Sequence, residues 1–329
     1  VCVLLSCAFL VVQAQDQVKR KPNIIFIMAD DLGYETLACN GNDRNQTPNL
    51  DRLAAGGMRF THTYATPLCT PTRVQLMTGK YNFRNYIGFG LLKPGEVTFA
   101  DLLKKEGYVT GITGKWQLLG NERQRQLAGG KTGSRPEDTG FDQYCLWQVD
   151  QLGSRFKDPL IATDAGSKEH TGEYGPDVFT NFALDFIESN KDKPFFLYYP
   201  MVLTHDPFQH TPDNPGFDNF DVKKGLNDPA YFREMVEYMD KIVGKIADKV
   251  QDVGLRENTL IIFTGDNGTH QSVTSYFQGK EFRGDKGQTN ILGTHVPMIA
   301  NWSGVINPSQ VNENLIDFTD FLPTFMEVA

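Results

Sequence analysis

Asn23-Ile-Ile-Phe-Ile-Met-Ala-Asp-Asp31 is the stretch that decides how this chain folds. From Ile24 to Met28 the side chains are β-branched, aromatic or long and apolar, without a polar residue on alternate positions. A strand with one wet face would alternate. A continuous apolar run has to be covered on both faces, as in a parallel sheet lying between helices. Two acids then follow at the point where the chain leaves the sheet.

The rest of the chain repeats this rhythm. Thr47 is placed to cap a short helix over Asn49 to Ala55, ended by Gly56 and Gly57. Thr98 to Glu106 reads as a second helix, stopped by Gly107, with a strand at Tyr108 to Ile112. Asp177 to Ser189 puts Phe179, Phe182, Phe186 and Ile187 on one helical face, and Phe195 to Tyr199 follows as a buried strand. Pro229 to Val253 is the longest helix. Its stripe of Phe232, Val236, Met239, Val243, Ile246, Val250 and Val253 reads as core, so no cofactor is sought there. Leu260 to Phe263 and Val296 to Ala300 are further strands. The alternation predicts one α/β domain over residues 22–329, with a mainly parallel central sheet sandwiched by helices. Gly120 to Gly172, polar and rich in Gly, Arg, Lys and Asp, reads as an elaborated surface loop near the site. Phe321 to Ala329 reads as the middle of an amphipathic helix with no terminator, so the expectation is a truncated C-terminal subdomain.

With 329 residues, 40% hydrophobic content and a net charge of -8, the chain is an ordinary soluble composition. No overall basic field exists to attract nucleic acid or anionic lipid, and an anionic substrate needs a local cluster of cations. The apolar run Val1 to Val12 is shorter than the ~20 residues of a membrane span. Followed by Val12-Gln13-Ala14, it reads as a signal peptide fragment over residues 1–14. The mature protein is then secreted or periplasmic. A buried N-terminal strand, or a lipoprotein site at Leu4-Leu5-Ser6-Cys7, are the alternatives. Of five cysteines, Cys39, Cys69 and Cys145 remain beyond that segment. An odd number in an exported chain leaves at least one thiol unpaired or with a chemical task, and the lack of a CxxC pair argues against structural zinc.

Chemically capable residues follow three of the predicted strands: Asp30-Asp31, Thr204-His205-Asp206 and Asp266-Asn267-Gly268. Ligands of parallel α/β sheets gather past the carboxyl ends of strands, and hard oxygen donors suit calcium or magnesium. Acid pairs and Asp-Asn-Gly are also common turn sequences, so their weight comes from what lies between them. That is Cys69-Thr70-Pro71-Thr72-Arg73. A cysteine opening a helix, with Pro71 in its first turn and Arg73 one turn on, is expected in a positive field that favours the thiolate.

Cys69-Thr-Pro-Thr-Arg73 resembles the C-x-P-x-R signature of the formylglycine-dependent sulfatases, members of the alkaline phosphatase-like superfamily. The resemblance runs from Pro22 to about Glu327. It takes in Asp30-Asp31, Thr47-Pro-Asn-Leu-Asp-Arg-Leu53, Thr113-Gly-Lys-Trp116, Thr204-His205, Thr264-Gly-Asp-Asn-Gly268 and Gly284-Asp-Lys-Gly287 in the family's order. It implies a sulfuric ester hydrolase. A formylglycine-generating enzyme would oxidise Cys69 to an aldehyde before folding, and Asp30, Asp31, Asp266, Asn267 and the oxidised Cys69 would hold one calcium, with magnesium the alternative. Arg73 would orient the hydrated aldehyde, Lys115 and Lys286 would neutralise the sulfate, and His205 would protonate the leaving alcohol. Each role is chemically reasonable, because a sulfate monoester needs an in-line nucleophile and positive charge around its sulfuryl oxygens. A hydrated aldehyde offers one hydroxyl for attack and a second whose collapse expels sulfate.

Two departures stand out. Where the family commonly reads Gly-Lys-Trp-His-Leu-Gly, this chain has Gly114-Lys-Trp-Gln117-Leu-Leu-Gly120, and an amide carries no proton near neutral pH. The segment Ile291-Leu-Gly-Thr-His295-Val-Pro297 also differs, so a substrate-side loop is expected to diverge. Substrate contacts are expected from Lys115, Gln117, His205, Lys286 and His270, the last because it lies near a metal-type motif. The implied substrate is a sulfated small molecule or glycan. A phosphonate or phosphodiester hydrolase, and a weakly active sulfoglycan-binding protein, are the competing readings.

Overall fold

The computed structural model describes residues 20–220 and 225–329. The segment read as a signal peptide, with Cys2 and Cys7, lies outside them. Strand β1 (Asn23–Ala29) is buried at every position and lies between β7 (Phe195–Pro200) and β8 (Thr259–Gly265), parallel to both. Its side chains divide by parity. Ile25 and Ile27 enter one hydrophobic cluster, and Ile24, Phe26 and Met28 enter another on the opposite face. Two-sided burial is therefore the cause of the unbroken apolar run.

The ten-stranded sheet has the order β12-β2-β11-β8-β1-β7-β3-β4-β5-β6, with β2 at Met58–Tyr64, β3 at Val109–Lys115, β4 at Gln143–Trp147 and β5 at Leu160–Thr163. Strands β6 (Gly166–Glu169), β11 (His295–Asn301) and β12 (Gln310–Asp317) complete it, and β9 (Thr274–Phe277) with β10 (Lys280–Arg283) makes a separate hairpin. From β8 through β1, β7 and β3 to β4 every pairing is parallel. Antiparallel pairings flank this block, at β11 on one side and at β5 and β6 on the other.

Helices cover both faces. On one lie α1 (Pro48–Ala55), α5 (Gly175–Ser189) and the 21-residue α6 (Phe232–Asp252). Of the predicted α6 stripe, Phe232 to Val250 are buried and Val253 is partly exposed. On the other face lie α2 (Cys69–Thr78), α3 (Phe99–Lys105) and α8 (Phe321–Val328). There Phe321 and Phe325 pack on Phe26 at ring separations of 5.0 and 5.5 Å. Two short helices, α4 (Glu122–Leu127) and α7 (Ile291–Thr294), sit in connections. Among the described residues no helix is long and apolar enough to cross a membrane.

Three expectations are corrected. Residues 120–172 are more than surface loop: β4, β5 and β6 extend the sheet, and Leu146, Trp147 and Phe156 are buried. Thr47 precedes α1 but makes no cap hydrogen bond, because its hydroxyl accepts from the Ala38 amide at 3.0 Å and donates to Asp51 at 3.2 Å. The strand predicted over Tyr108 to Ile112 continues to Lys115. Gly114 permits that continuation. Its φ is +119°, and a Cβ there would lie 2.1 Å from the Pro200 carbonyl oxygen.

Candidate active site

Because β1, β3, β7 and β8 are mutually parallel neighbours, their carboxyl ends share one edge of the sheet. Asp30 and Asp31 follow β1, Lys115 ends β3, His205 lies in the loop after β7, and Asp266 and Asn267 follow β8. Helix α2 brings Cys69 to this edge at its first residue and Arg73 one turn later, on the same face. The loop after β10 supplies Lys286. Asp31 adopts φ 62°, a left-handed conformation uncommon outside glycine, and its amide donates to Asp266 Oδ1 at 3.0 Å.

Each buried acid has its own cation. Lys115 Nζ lies 2.7 Å from Asp30 Oδ2, Lys286 Nζ 2.6 Å from Asp31 Oδ2, and Arg73 Nη2 2.8 Å from Asp266 Oδ2. Burial alone would raise the Asp30 carboxyl. Lys115, His205, Arg73 and Lys286 outweigh it and hold Asp30 well below the usual carboxylate range. Asp31 is lowered in the same way, with His205 and Lys286 opposing burial and Asp30. Asp266 goes the other way. Burial and Asp30 push it up to about 6 against Arg73 and Lys115.

Cys69 is 2% exposed, with Sγ 3.4 Å from Asp30 Oδ1 and 3.9 Å from Asp31 Oδ1. The helix end was expected to favour the thiolate; instead burial pushes the thiol up, with Asp266 and Asp30 adding to it against Lys115 and Lys286. Desolvation and two carboxylates outweigh a half-charge at a helix end. Cys39 and Cys145 are also unpaired, and burial pushes each up to about 12.

One face of the cluster gathers donor atoms of the kind that suit a cation. Ligand atoms of Asp30, Asp31, Cys69 and His205 lie within 4.8 Å of one another. The Asn267 amide donates to Asp31 Oδ1 at 2.8 Å, which leaves its Oδ1 buried without a hydrogen-bond partner among the described residues. An orphaned, fully buried amide oxygen beside two carboxylates fits a hard divalent ion. Asp266 is more engaged: Oδ1 accepts from Asp31 N and Oδ2 from Arg73 Nε and Nη2.

His205 is oriented from behind. Its Nδ1 lies 2.9 Å from Asp206 Oδ1, and its Nε2 lies 3.1 Å from Lys286 Nζ. With Nδ1 donating to Asp206, Nε2 is left to accept from the lysine. Gln117 and His270 are not hydrogen-bonded to this cluster among the described residues. Gln117 adopts φ 51°, its amide N donates to the Gln148 carbonyl at 3.3 Å, and its Oε1 is buried without a partner among the described residues. His270 pairs with Ser272 at 2.9 Å and stands edge-on to Phe208. The divergent segment Ile291 to Pro297 forms α7 and the start of β11, and the Gly293 carbonyl accepts from the Gly268 amide.

Sequence reasoning gave no role to Asp206, Thr204 or Arg155. Thr204 Oγ1 reaches the Asp30 and Asp31 carbonyls at 3.4 and 3.3 Å, which fixes the chain past β1. Asp206 was legible as an acid next to His205. Arg155 had no local signal: it lies in the polar stretch taken for loop, yet its Nη1 reaches within 3.9 Å of Asp30 Oδ2.

Buried carboxylates, an orphaned amide oxygen and an arc of cations thus meet past the ends of the parallel strands. The chain belongs to the sulfatase family of the alkaline phosphatase-like superfamily, and the Sulfatase family model matches residues 22–329. It is 33% identical to human arylsulfatase A over 349 residues, covering 95% of this chain and 65% of that protein's length. It is 29% identical to an N-acetylgalactosamine-6-O-sulfatase of Bacteroides thetaiotaomicron, over 94% of this chain and 73% of that protein. Among solved structures, Ps i-CgsB in complex with k-i-k-neocarrahexaose superposes with a TM-score of 0.76 at 28% identity, covering 94% of this chain and 72% of that one.

Proposed function

We propose that this protein hydrolyses sulfate monoesters, and that Cys69 acts after conversion to formylglycine by a formylglycine-generating enzyme. The observation that carries this reading is the placement of Cys69 at the first residue of α2, 3.4 Å from Asp30 and among Lys115, Lys286 and Arg73. An unmodified, buried thiol has no evident use there. Converted and hydrated, Cys69 supplies one hydroxyl to attack sulfur in line with the ester oxygen and a second whose collapse releases sulfate.

A divalent cation, calcium or alternatively magnesium, would be held by Asp30, Asp31, Asn267 and Asp266 with the modified Cys69, and would acidify the nucleophile and draw charge from the sulfuryl oxygens. Arg73 acts as a positioning residue, since its donors go to Asp266 and, at 3.6 Å, reach towards Asp30. Lys115 and Lys286 neutralise charge that spreads over the sulfuryl oxygens. His205, steadied at Nδ1 by Asp206, delivers the proton taken up by the departing alkoxide from Nε2, which in the substrate complex is protonated and turned from Lys286 to the ester oxygen. The ester S–O bond breaks, the alcohol leaves protonated, and water regenerates the hydrate.

The substrate class is a sulfated carbohydrate or an aryl sulfate. The arylsulfatase and N-acetylgalactosamine-6-O-sulfatase names of two relatives, and the neocarrahexaose bound to a structural neighbour, support that range. The reading includes export, on the strength of residues 1–14. The test is co-expression with a maturation enzyme, peptide mass spectrometry at Cys69, and turnover of 4-nitrophenyl sulfate beside a 4-nitrophenyl phosphodiester. Sulfate turnover that Cys69→Ser abolishes is expected. A matured protein that cleaves only the phosphodiester, or neither ester, overturns the reading.

A further inference from the structure

Four cations converge on the carboxylate cluster, and three of them are matched. Arg73, Lys115 and Lys286 each lie within 2.8 Å of a different aspartate. Arg155 is the fourth. Its nearest carboxylate contact is Asp30 Oδ2 at 3.9 Å, too long for a hydrogen bond, and its Nη1 is buried with no hydrogen-bond partner among the described residues. Its side chain is only 15% exposed, and burial lowers its pKa although Asp30, Asp206 and Asp31 oppose that. A guanidinium held this deep, with Nη1 unpartnered among the described residues, has hydrogen-bonding capacity left for an anion from outside the chain.

The guanidinium lies over an aromatic ring. Its carbon lies 4.1 Å from the centre of the Trp147 ring, and the Trp147 indole donates to the Gly153 carbonyl at 2.8 Å. A cation–π contact of this kind restrains the guanidinium while its N–H groups can still pair with an oxyanion. Arg155 also lines a cavity of about 420 Å³ with Trp147, Phe156, Pro207, Gln209 and Asn227. None of the clustered acids, lysines or Cys69 lines it, so Arg155 stands between the cluster and the cavity. Pro207, which lines the cavity, directly follows the His205-Asp206 pair, so this wall is continuous in the chain with the residues proposed to protonate the leaving alcohol. Gln209 Oε1, buried and without a partner among the described residues, adds an acceptor for a hydroxyl. Apolar walls, a few polar groups and this volume suit one sugar ring.

Building on the sulfate-ester hydrolysis proposed above, we infer that Arg155 sets substrate choice by binding a second anionic group, a carboxylate or a second sulfate, on the leaving-group side. The reacting sulfate has Lys115, Lys286 and the divalent ion to meet its charge. Arg155 is the surplus cation, and it faces the cavity.

The test compares matched substrates that differ by one anion. Glucosamine 6-sulfate against glucosamine N,6-disulfate reads a second sulfate, and 4-nitrophenyl sulfate against 2-carboxy-4-nitrophenyl sulfate reads a carboxylate. The matured protein is expected to favour the doubly anionic member of at least one pair by about 10- to 100-fold in kcat/KM, mainly through KM, as a charge-assisted hydrogen bond allows. Arg155→Gln should bring that ratio close to one, and Arg155→Lys should restore part of it. The pair that responds identifies the source of the anion. Equal rates on both members in the unaltered protein, or an equal loss on both members in Arg155→Gln, overturn the inference. Calorimetric titration of Cys69→Ala protein with the two glucosamine sulfates reads the same preference without turnover. If no sulfate ester is hydrolysed but an Arg155-dependent binding preference persists, sulfate-ester hydrolysis falls and anion recognition stands.

Discussion

Lys115→Met separates the electrostatics of this site from its shape. The methionine stem follows the lysine stem through a fully buried channel, and only the ammonium is lost. That ammonium lies 2.7 and 3.0 Å from the two Asp30 oxygens, with both side chains 0% exposed. At an effective permittivity of ~20, unit charges 2.7 Å apart attract by about 6 kcal/mol. Arg73 at 3.6 Å and Arg155 at 3.9 Å remain beside Asp30, so part of that attraction is replaced. Breaking a buried pair by removing one partner typically costs about 3–5 kcal/mol. In chelator, Lys115→Met is therefore expected to lose about 3–5 kcal/mol by urea denaturation, on the order of 10 °C in melting temperature. With saturating calcium the loss should shrink by at least about 1.4 kcal/mol, because the ion supplies Asp30 with the charge the lysine withdrew, and by linkage calcium should bind about tenfold more tightly. Turnover of the matured enzyme should fall ~100- to 1,000-fold, the usual loss for one charge-stabilising donor. An equal stability loss in chelator and in calcium refutes the placement of Asp30 at the cation. An unchanged rate refutes a role for Lys115 at the sulfuryl group.

Asn267→Ala should weaken calcium binding at least about tenfold in calorimetry while the fold persists, since it removes the orphaned buried oxygen; unchanged affinity excludes Asn267 as a ligand. Burial raises the Glu35 carboxyl above its ordinary 4.5, opposed by its hydrogen bond from Thr269. The folded protein therefore holds that proton more tightly than the unfolded chain, and this contribution to stability is full below the ordinary value and lost as pH rises through the folded one. Glu35→Gln should accordingly be more favourable relative to wild type at pH 8 than at pH 4 in urea denaturation, and a difference independent of pH refutes the assignment. Rapid mixing of the matured enzyme with an aryl sulfate should show no burst of alcohol stoichiometric with enzyme, and Gln117→His should not raise kcat, because the rest of the site is complete without a histidine at 117. A full burst would show that the second chemical step is impaired.

What the sequence made legible, and what it hid, follows from the range of each interaction. Ile24 to Met28 announced two-sided burial because every residue of β1 obeys it, and the α6 stripe is a local periodicity that burial preserves. The stretch 120–172 misled because its polarity is real while its sheet pairing is remote. Strand β6 is exposed at all four positions, and β4 is apolar only from Tyr144 to Trp147. Thr47 failed as a cap because a backbone amide nine positions earlier competes for its hydroxyl. Cys69 failed as a thiolate because local helix geometry says nothing of the carboxylates that fold against it. Arg155 was missed for the same reason, since its cluster contact is a carboxylate far away in sequence.

The pairing of charges also bears on when Cys69 can be modified. Asp30 meets Lys115 across 85 positions, Asp266 meets Arg73 across 193, and Asp31 meets Lys286 across 255. Motif order in the sequence does not reveal these partners: the first pair joins the ends of β1 and β3, the second α2 and the end of β8, and the third the end of β1 and the loop after β10. With these pairs in place, Cys69 is 2% exposed and its sulfur faces two carboxylates, with the chain of α2 packed behind it. An oxidising enzyme cannot reach that sulfur without opening the helix from the sheet, which would separate Arg73 from Asp266 and leave both charges buried or newly solvated at a cost of several kcal/mol. The proposed conversion of Cys69 therefore has to precede the docking of α2.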